Sequence, residues 1–454
     1  MNKAVEPAIS VVIPAYNAAE DLRVALEALT SSTSKPAEVI LVDDGSTDET
    51  IAVARHFGVK ILSTDGRRGP AVARNLGAKA ARGDILFFLD ADVCVHEDTV
   101  ERVLAAFASD PSLEALIGSY DDAPSCRDFL SQYRNLMHCF VHQDGRRKAS
   151  TFWSGCGAIR KQSFIEAGGF DASYERPAIE DIELGYRMSF TGRKMVLDPE
   201  VQVKHRKRWT FYTLVKTDVL DRGIPWTMLI MRAGRMPNDL NLKWAQRMSV
   251  VLVFLMLLTA MIATSYDHGF FLIPLLSLVL LVLGSYWMQG ILESRSGLLR
   301  TGLFLFLCAF TAVAAHPQLG LVAVVAPVWV GFFLLFLRYK LTKDNEKWRR
   351  ITGLAYGAYF ALTASYLLIR LPRGGATLTF LSLLLVLIAL NYRFYLFLFH
   401  RLGNLFGMAA IPFHVLYHFY NGVSFTIGAL QYHLGHLGSS TNNPPSAGVP
   451  KKGK

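Results

Sequence analysis

The stretch Val11-Val-Ile-Pro-Ala-Tyr-Asn17, followed by Ile40-Leu-Val-Asp-Asp-Gly-Ser-Thr-Asp-Glu-Thr50, decides the fold. Both segments begin as short apolar runs rich in β-branched residues, stop at turn-forming residues, and give way to a helical pattern. The same alternation continues outward. Strands are expected at 9–13, 39–42, 60–62 and 85–89, and helices at 19–30, 48–56, 70–81 and 97–108. Strand and helix alternating at this spacing read as βαβ units around a mostly parallel sheet, an α/β fold. In such sheets ligands bind at the carboxyl ends of the strands. The polar clusters 14–17, 43–48 and 90–92 fall there. Beyond residue 125 the pattern loosens, with helical stretches at 127–138 and 180–191 and a glycine-rich segment at 155–157.

Three acidic clusters carry candidate chemistry. Asp43 and Asp44 follow the second strand, where a carboxylate can accept from a base N–H or ribose hydroxyls; the plain alternative is a strand–turn–helix junction. In Gly83-Asp-Ile-Leu-Phe-Phe-Leu-Asp-Ala-Asp-Val93, Asp90 and Asp92 lie two apart, so an extended backbone would turn both toward one cation. Hard oxygen ligands suit Mg²⁺ or Mn²⁺. Further on, Glu180 and Asp181 open a helix, a favourable place for negative charge. Asp181 is the candidate general base, able to take the proton from an attacking hydroxyl.

In their order and context these clusters resemble the family-2 glycosyltransferases, inverting enzymes with a GT-A nucleotide-sugar-binding fold. The resemblance covers about residues 8–230, roughly half of the chain. It implies that Asp43 or Asp44 contacts the nucleoside, with Asp44 preferred, and that Pro14, Tyr16 and Asn17 line the donor site. It implies that Asp90 faces the ribose or sugar phosphate, that Asp92 binds a divalent cation, and that Asp181 is the base. Arg74 lies in a segment matching one beside the donor pocket. It either pairs with a phosphate or is an exposed helix arginine. Phe152-Trp-Ser-Gly-Cys-Gly157 matches the segment lining the sugar and acceptor, where Gly155 would let backbone approach the ligand. Cys156 is expected to be inert. His205 is either a third metal ligand beside Asp90 and Asp92 or a structural histidine. Arg206–Trp209 partly match the QxxRW motif of processive synthases, but His205 stands where the motif has Gln; the other reading is a lipid-headgroup patch. The implied partners are a nucleotide-sugar donor, a UDP-sugar first, and a membrane lipid or lipid-linked acceptor.

Composition separates the chain into halves. Apolar residues make up 52% of 454, and mean hydropathy is +0.28, high for a soluble enzyme. Apolar runs long enough to cross a bilayer are expected at 248–266, 270–290, 299–316, 318–337, 351–369 and 376–398. The expected organisation is a GT-A-type domain at 1–205, an amphipathic interfacial segment at 206–247, a transmembrane helical bundle at 248–400, an interfacial or re-entrant helix at 401–437 and a disordered tail at 438–454. The net charge of +10 sits largely beside the apolar runs, which favours lipid and topology over nucleic acid. Five cysteines, an odd count without CxxC spacing, argue against a disulfide framework or zinc site. The first apolar run, 9–13, is too short for a signal peptide and ends at Pro14. The catalytic domain is therefore expected on the cytosolic face of a bacterial inner membrane. The rival readings are a processive synthase threading its polymer through the bundle, and a transporter or flippase with a regulatory nucleotide-binding domain.

Overall fold

The computed structural model describes residues 7–266 and 375–438. The chain divides into two units, Met1–Arg247 with Tyr420–Lys454, and Met248–Phe419.

The first unit is built on an eight-stranded sheet. In chain order its strands are β1 (Ile9–Ala15), β2 (Glu38–Asp43), β3 (Lys60–Ser63), β4 (Ile85–Leu89), β5 (Val93–Val95), β6 (Ala115–Tyr120), β7 (Cys156–Arg160) and β8 (Met195–His205). Their spatial order is β3-β2-β1-β4-β7-β6-β8-β5. The four strands expected from sequence form the parallel half, β1 pairing with β2 and β4, and β2 with β3. β7 runs antiparallel to β4 and β6, and β5 antiparallel to β8, so the sheet is mixed. Val11, Val12, Leu41, Val42 and Ile85–Phe88 are fully buried, as strands covered on both faces require.

Helices α1 (Ala19–Ser31), α2 (Thr50–His56), α3 (Pro70–Ala80) and α4 (Thr99–Ser109) are the predicted crossovers. α3 begins with Pro70 in its first turn, where a missing N–H costs nothing. They are joined by α5 (Phe129–Gln143), α6 (Lys161–Glu166) and α7 (Glu180–Phe190). A core of Val12, Phe88, Phe152, Phe164, Phe170 and Leu184 ties α7 and the 152–170 segment to the sheet. Residues 206–247 fold within this unit as α8 (Phe211–Lys216), a π-helical turn (Thr217–Gly223) and α9 (Ile224–Ala233), before α10 (Trp244–Tyr266) begins.

The second unit contains most of α10, then α11 (Gly375–Leu390), α12 (Tyr392–Leu402) and part of α13 (Asn404–Gly438). Leu252, Val253, Met256 and Leu387 form its core, and Asn391 donates to Ser249 Oγ at 2.8 Å. Among the described residues no single helix is long and apolar enough to cross a membrane. Thr379–Leu390 and Tyr392–Leu402 reach that length and composition only together, bent by 69° at their junction. The expected spans between 270 and 369 and the tail beyond Gly438 lie outside the described residues.

Candidate active site

The carboxyl ends of β1, β2 and β4 converge with the head of α7. At the tip of β2 both aspartates are buried and engaged. Asp43 accepts from the Gly45 and Ser46 N–H groups at 3.1–3.3 Å. Asp44 accepts from Thr64 Oγ1 at 2.8 Å and from the Arg68 and Gly69 N–H groups at 2.8 and 2.9 Å, which pins the loop into α3. Each carboxylate still has lone-pair capacity for one more donor. Pro14 is paired in β1, opposite Val42. Asn17 adopts a left-handed conformation (φ 48°) and its Oδ1 accepts from Thr47 N at 2.8 Å, tying the two strand tips together. Tyr16 is exposed, with the Arg67 guanidinium 4.2 Å from its ring centre.

Arg74 is not an exposed helix arginine. It is buried, and its guanidinium donates to Asp90 Oδ1 at 2.7 Å and to Glu180 Oε1 at 2.8 Å. It thereby joins α3, the end of β4 and the head of α7. Glu180 is buried, and its other oxygen accepts from Ala178 N at 3.0 Å. The flanking carboxylates keep Arg74 protonated despite burial.

Asp181 points elsewhere. Its Oδ2 accepts from Ser154 N and Oγ at 3.0 and 3.1 Å, and its Oδ1 from Ile182 N at 2.7 Å. Burial, helped by the charge of Glu180, pushes its carboxyl up to about 6, against the opposing pull of the Ser154 N–H and two arginines. A carboxylate with that value is poised to take a proton near neutrality.

The predicted three-ligand set of Asp90, Asp92 and His205 is not assembled. β4 ends at Leu89, and Asp90–Asp92 form a turn closed by Val93 N to Asp90 O at 3.1 Å, so the alternation expected of an extended strand does not hold. Asp90 turns to Arg74 and Asp92 to His205, whose Nε2 lies 3.5 Å from Asp92 Oδ2. Among the described residues no group of three or more His, Cys, Asp or Glu converges on a metal-sized point. The remaining pair still fits a divalent cation. Asn135 Oδ1 faces both Trp209 Nε1 at 3.4 Å and His205 Nδ1 at 2.7 Å. The indole only donates, so the amide presents oxygen here and the histidine proton sits on Nδ1. Nε2 is then the nitrogen left to face Asp92, as a proton donor to the carboxylate or, with that proton displaced, as a ligand beside it to a shared cation. Mg²⁺ and Mn²⁺ commonly take one or two protein ligands and complete their shell with water and phosphate. Burial works against the charge of Asp92, but His205 and Lys207 beside it hold the carboxyl below its usual range.

Gly155 serves packing rather than ligand approach: a Cβ there would meet the Trp153 indole at 2.7 Å. Cys156 is fully buried, and burial pushes its thiol well up, so it is inert. Arg206 pairs with Asp21 at 2.7 Å and Trp209 is buried against Ser131, so only Lys207 and Arg208 of that patch are exposed. Sequence reasoning missed Ser154, Asn135 and Arg67. It also missed an aromatic wall of Tyr120, His138 and Trp153, with Tyr120 stacked on His205 at 4.3 Å. Ser154 adjoins the glycine segment, but nothing in the sequence pairs it with Asp181.

The strand ends of this α/β domain thus gather the buried Asp43 and Asp44, the Asp92–His205 pair and a carboxylate, Asp181, raised toward neutrality. Residues 10–169 match the model of glycosyl transferase family 2. The chain is 35% identical over 197 residues to an uncharacterized glycosyltransferase of Haemophilus influenzae, covering 41% of this chain and 65% of that protein. It is 31% identical over 228 residues to validoxylamine A glucosyltransferase of Streptomyces hygroscopicus subsp. limoneus, covering 43% and 50%. The chain thus spans less than two thirds of these relatives' lengths. Among solved structures, a Pyrobaculum calidifontis mannosyltransferase in complex with GDP-Man and Mn²⁺ is 21% identical with a TM-score of 0.42, covering 52% of this chain and 67% of that one.

Proposed function

We infer that the protein is an inverting glycosyltransferase that moves a sugar from a nucleotide-diphosphate donor to an acceptor hydroxyl at a membrane surface. The observation that carries this reading is Asp181, oriented by Ser154 at 3.0 Å, beside the Arg74–Asp90–Glu180 network and the Asp92–His205 pair. The family-2 match and relatives named as glycosyltransferases support it.

In this mechanism the Tyr16 ring offers a face for the base, and Asp43 and Asp44 accept from the base or ribose. Arg74 holds Asp90 and Glu180 in fixed positions, so the sugar meets a preorganised edge. Asp92 and His205 would hold the divalent cation, whose charge offsets that of the departing diphosphate when bound. Asp181 takes the acceptor proton as the acceptor oxygen bonds to the anomeric carbon. The bond to the diphosphate oxygen breaks with its electron pair, and the centre inverts.

A lipid or lipid-linked acceptor and a bacterial inner-membrane location belong to the same proposal. They are supported by the apolar composition and by α10, which exposes Val251, Phe254, Leu255 and Leu258 along one helical face. The test is a screen of UDP-, GDP- and dTDP-sugars with Mn²⁺ or Mg²⁺ and membrane lipid extract, using the detergent-solubilised protein. Metal-dependent nucleotide release, abolished by EDTA and by Asp92→Ala, is expected. Release indifferent to both would refute the assignment.

A further inference from the structure

Between α8 and α9 the backbone makes a π-helical turn, Thr217–Gly223, a rare geometry that collects at functional sites. The turn is held from two sides. Asp218 is buried and accepts from Arg134 of α5 at 2.5 Å and from the Tyr420 hydroxyl of α13 at 2.7 Å. Ser424 fills the space a Cβ on Gly223 would need, and Gly428 packs on Thr227 and the Ile224 carbonyl, where its own Cβ would sit at 2.7 and 2.8 Å. Tyr420, Ser424 and Gly428 are spaced by four, one face of a helix. On the other side α9 packs on α7: Leu229 and Ile230 contact Ile179 and Tyr186, and Trp226 Nε1 lies 3.3 Å from the Tyr186 hydroxyl. Ile179 immediately precedes Glu180 and Asp181.

Arg222 lies four residues after Asp218, which is bound to Arg134 of α5, and four before Trp226, which meets Tyr186 of α7. It is half-buried, and among the described residues its guanidinium has no hydrogen bond or ion pair. Its charge nevertheless acts on Asp181, Tyr120, His138 and His142. A half-buried cation that makes no contact ion pair with its neighbouring carboxylate can take up an anion during function. Guanidinium suits phosphate, which it can bind through two parallel N–H groups.

We propose that Arg222 binds a substrate phosphate opposite Asp181, and that Arg134 and Tyr420, acting through Asp218, are positioning residues for the turn that presents it. This rests on the glycosyl-transfer reading of the site. The phosphate belongs either to the donor diphosphate or to a phosphate-bearing acceptor. The C-terminal segment from Tyr420 is then a working part of the catalytic unit.

The test uses the full-length protein in detergent and calorimetric titration. UDP, GDP and dTDP with Mn²⁺ probe the donor source. Inorganic phosphate, added over saturating nucleoside diphosphate, probes the acceptor source. Arg222→Ala is expected to weaken one of the two by about 10- to 100-fold, the worth of a charge-assisted hydrogen bond. Arg222→Lys should recover most of that loss, and Tyr420→Phe, which keeps the ring, should weaken the same probe about 3- to 10-fold. Loss confined to nucleotide assigns the donor diphosphate, and loss confined to phosphate assigns the acceptor. Unchanged nucleotide affinity in Arg222→Ala, with phosphate binding unchanged or absent from the wild type, overturns the role of Arg222. A folded Tyr420→Phe that matches wild type overturns the positioning role. A wild type that binds no nucleoside diphosphate sinks the glycosyl-transfer reading, and this proposal with it. The thermal unfolding midpoint of each variant, measured beside wild type, separates a local loss from general damage.

Discussion

Replacing Arg74 by Met tests how the site is held together. The substitution keeps the bulk of the stem and removes the charge shared by Asp90 and Glu180. The side chain of Asp90 is 35% exposed and can rehydrate, whereas that of Glu180 is 5% exposed and keeps only the Ala178 N–H at 3.0 Å. The cost therefore falls on Glu180. Breaking a buried ion pair from one side costs about 3–5 kcal/mol, and the surviving N–H places this case near 3. At roughly 2–4 °C per kcal/mol for a unit of this size, Arg74→Met should lower Tm by about 6–12 °C. Adding Glu180→Gln removes the stranded charge, so the double variant should recover about half of the loss or more. Thermal unfolding of the three variants beside wild type gives the cycle. A single variant within about 1 kcal/mol of wild type, or a double variant no better than the single, would refute the argument that Glu180 depends on Arg74.

Transfer should lose activity on the acid side. Asp181 must be ionised to take a proton and its carboxyl is raised to about 6, so kcat/KM should fall tenfold per unit below that pH. Glu180→Gln removes a charge that raises it and should move this limb to lower pH; an upward shift, or a flat profile down to pH 5, would contradict the assignment. Asn135→Ala frees His205 from its fixed tautomer and should raise the Mn²⁺ concentration needed for half-maximal activity about 10- to 100-fold. An unchanged metal titration would show that His205 does not bind the cation. Gly185→Ala would drive a Cβ into the Phe152 backbone N, where α7 passes closest to the 151–152 segment. It should destabilise by about 1–3 kcal/mol and depress transfer by displacing Asp181, one helical turn away; a variant with wild-type Tm and rate would show that this contact does not set the base.

The parallel half of the sheet was legible because each strand there is a short apolar run ending at a turn. β6, β7 and β8 were not. β6 is buried throughout and carries Gly118, so it lacks alternation, and β7 carries Gly157. β8 contains Asp198-Pro199-Glu200, residues that argue against a strand, and its register with β6 shifts there, between Ile117 and Ser119. The candidate acids were legible as residue types, but their pairing was not. Arg74 and Glu180 are 106 residues apart, and only the folded chain shows that Arg74 joins Glu180 to Asp90 while Asp181 turns to Ser154. The metal set was overestimated because extended geometry was assumed for Asp90–Asp92, where the chain makes a turn. Nothing local in the sequence marks Arg222 or its link to Tyr420, since that contact joins residues 202 apart through Asp218.

The most direct test of Asp181 as the base is to measure nucleoside diphosphate affinity and sugar transfer on the same preparation of Asp181→Asn. The substitution keeps an oxygen for the Ser154 donors and removes the proton acceptor. Nucleotide affinity should stay within about twofold of wild type while transfer falls by about 10²- to 10⁴-fold, the worth of general-base catalysis. Transfer within tenfold of wild type, or a loss fully matched by a loss of nucleotide affinity, would contradict it.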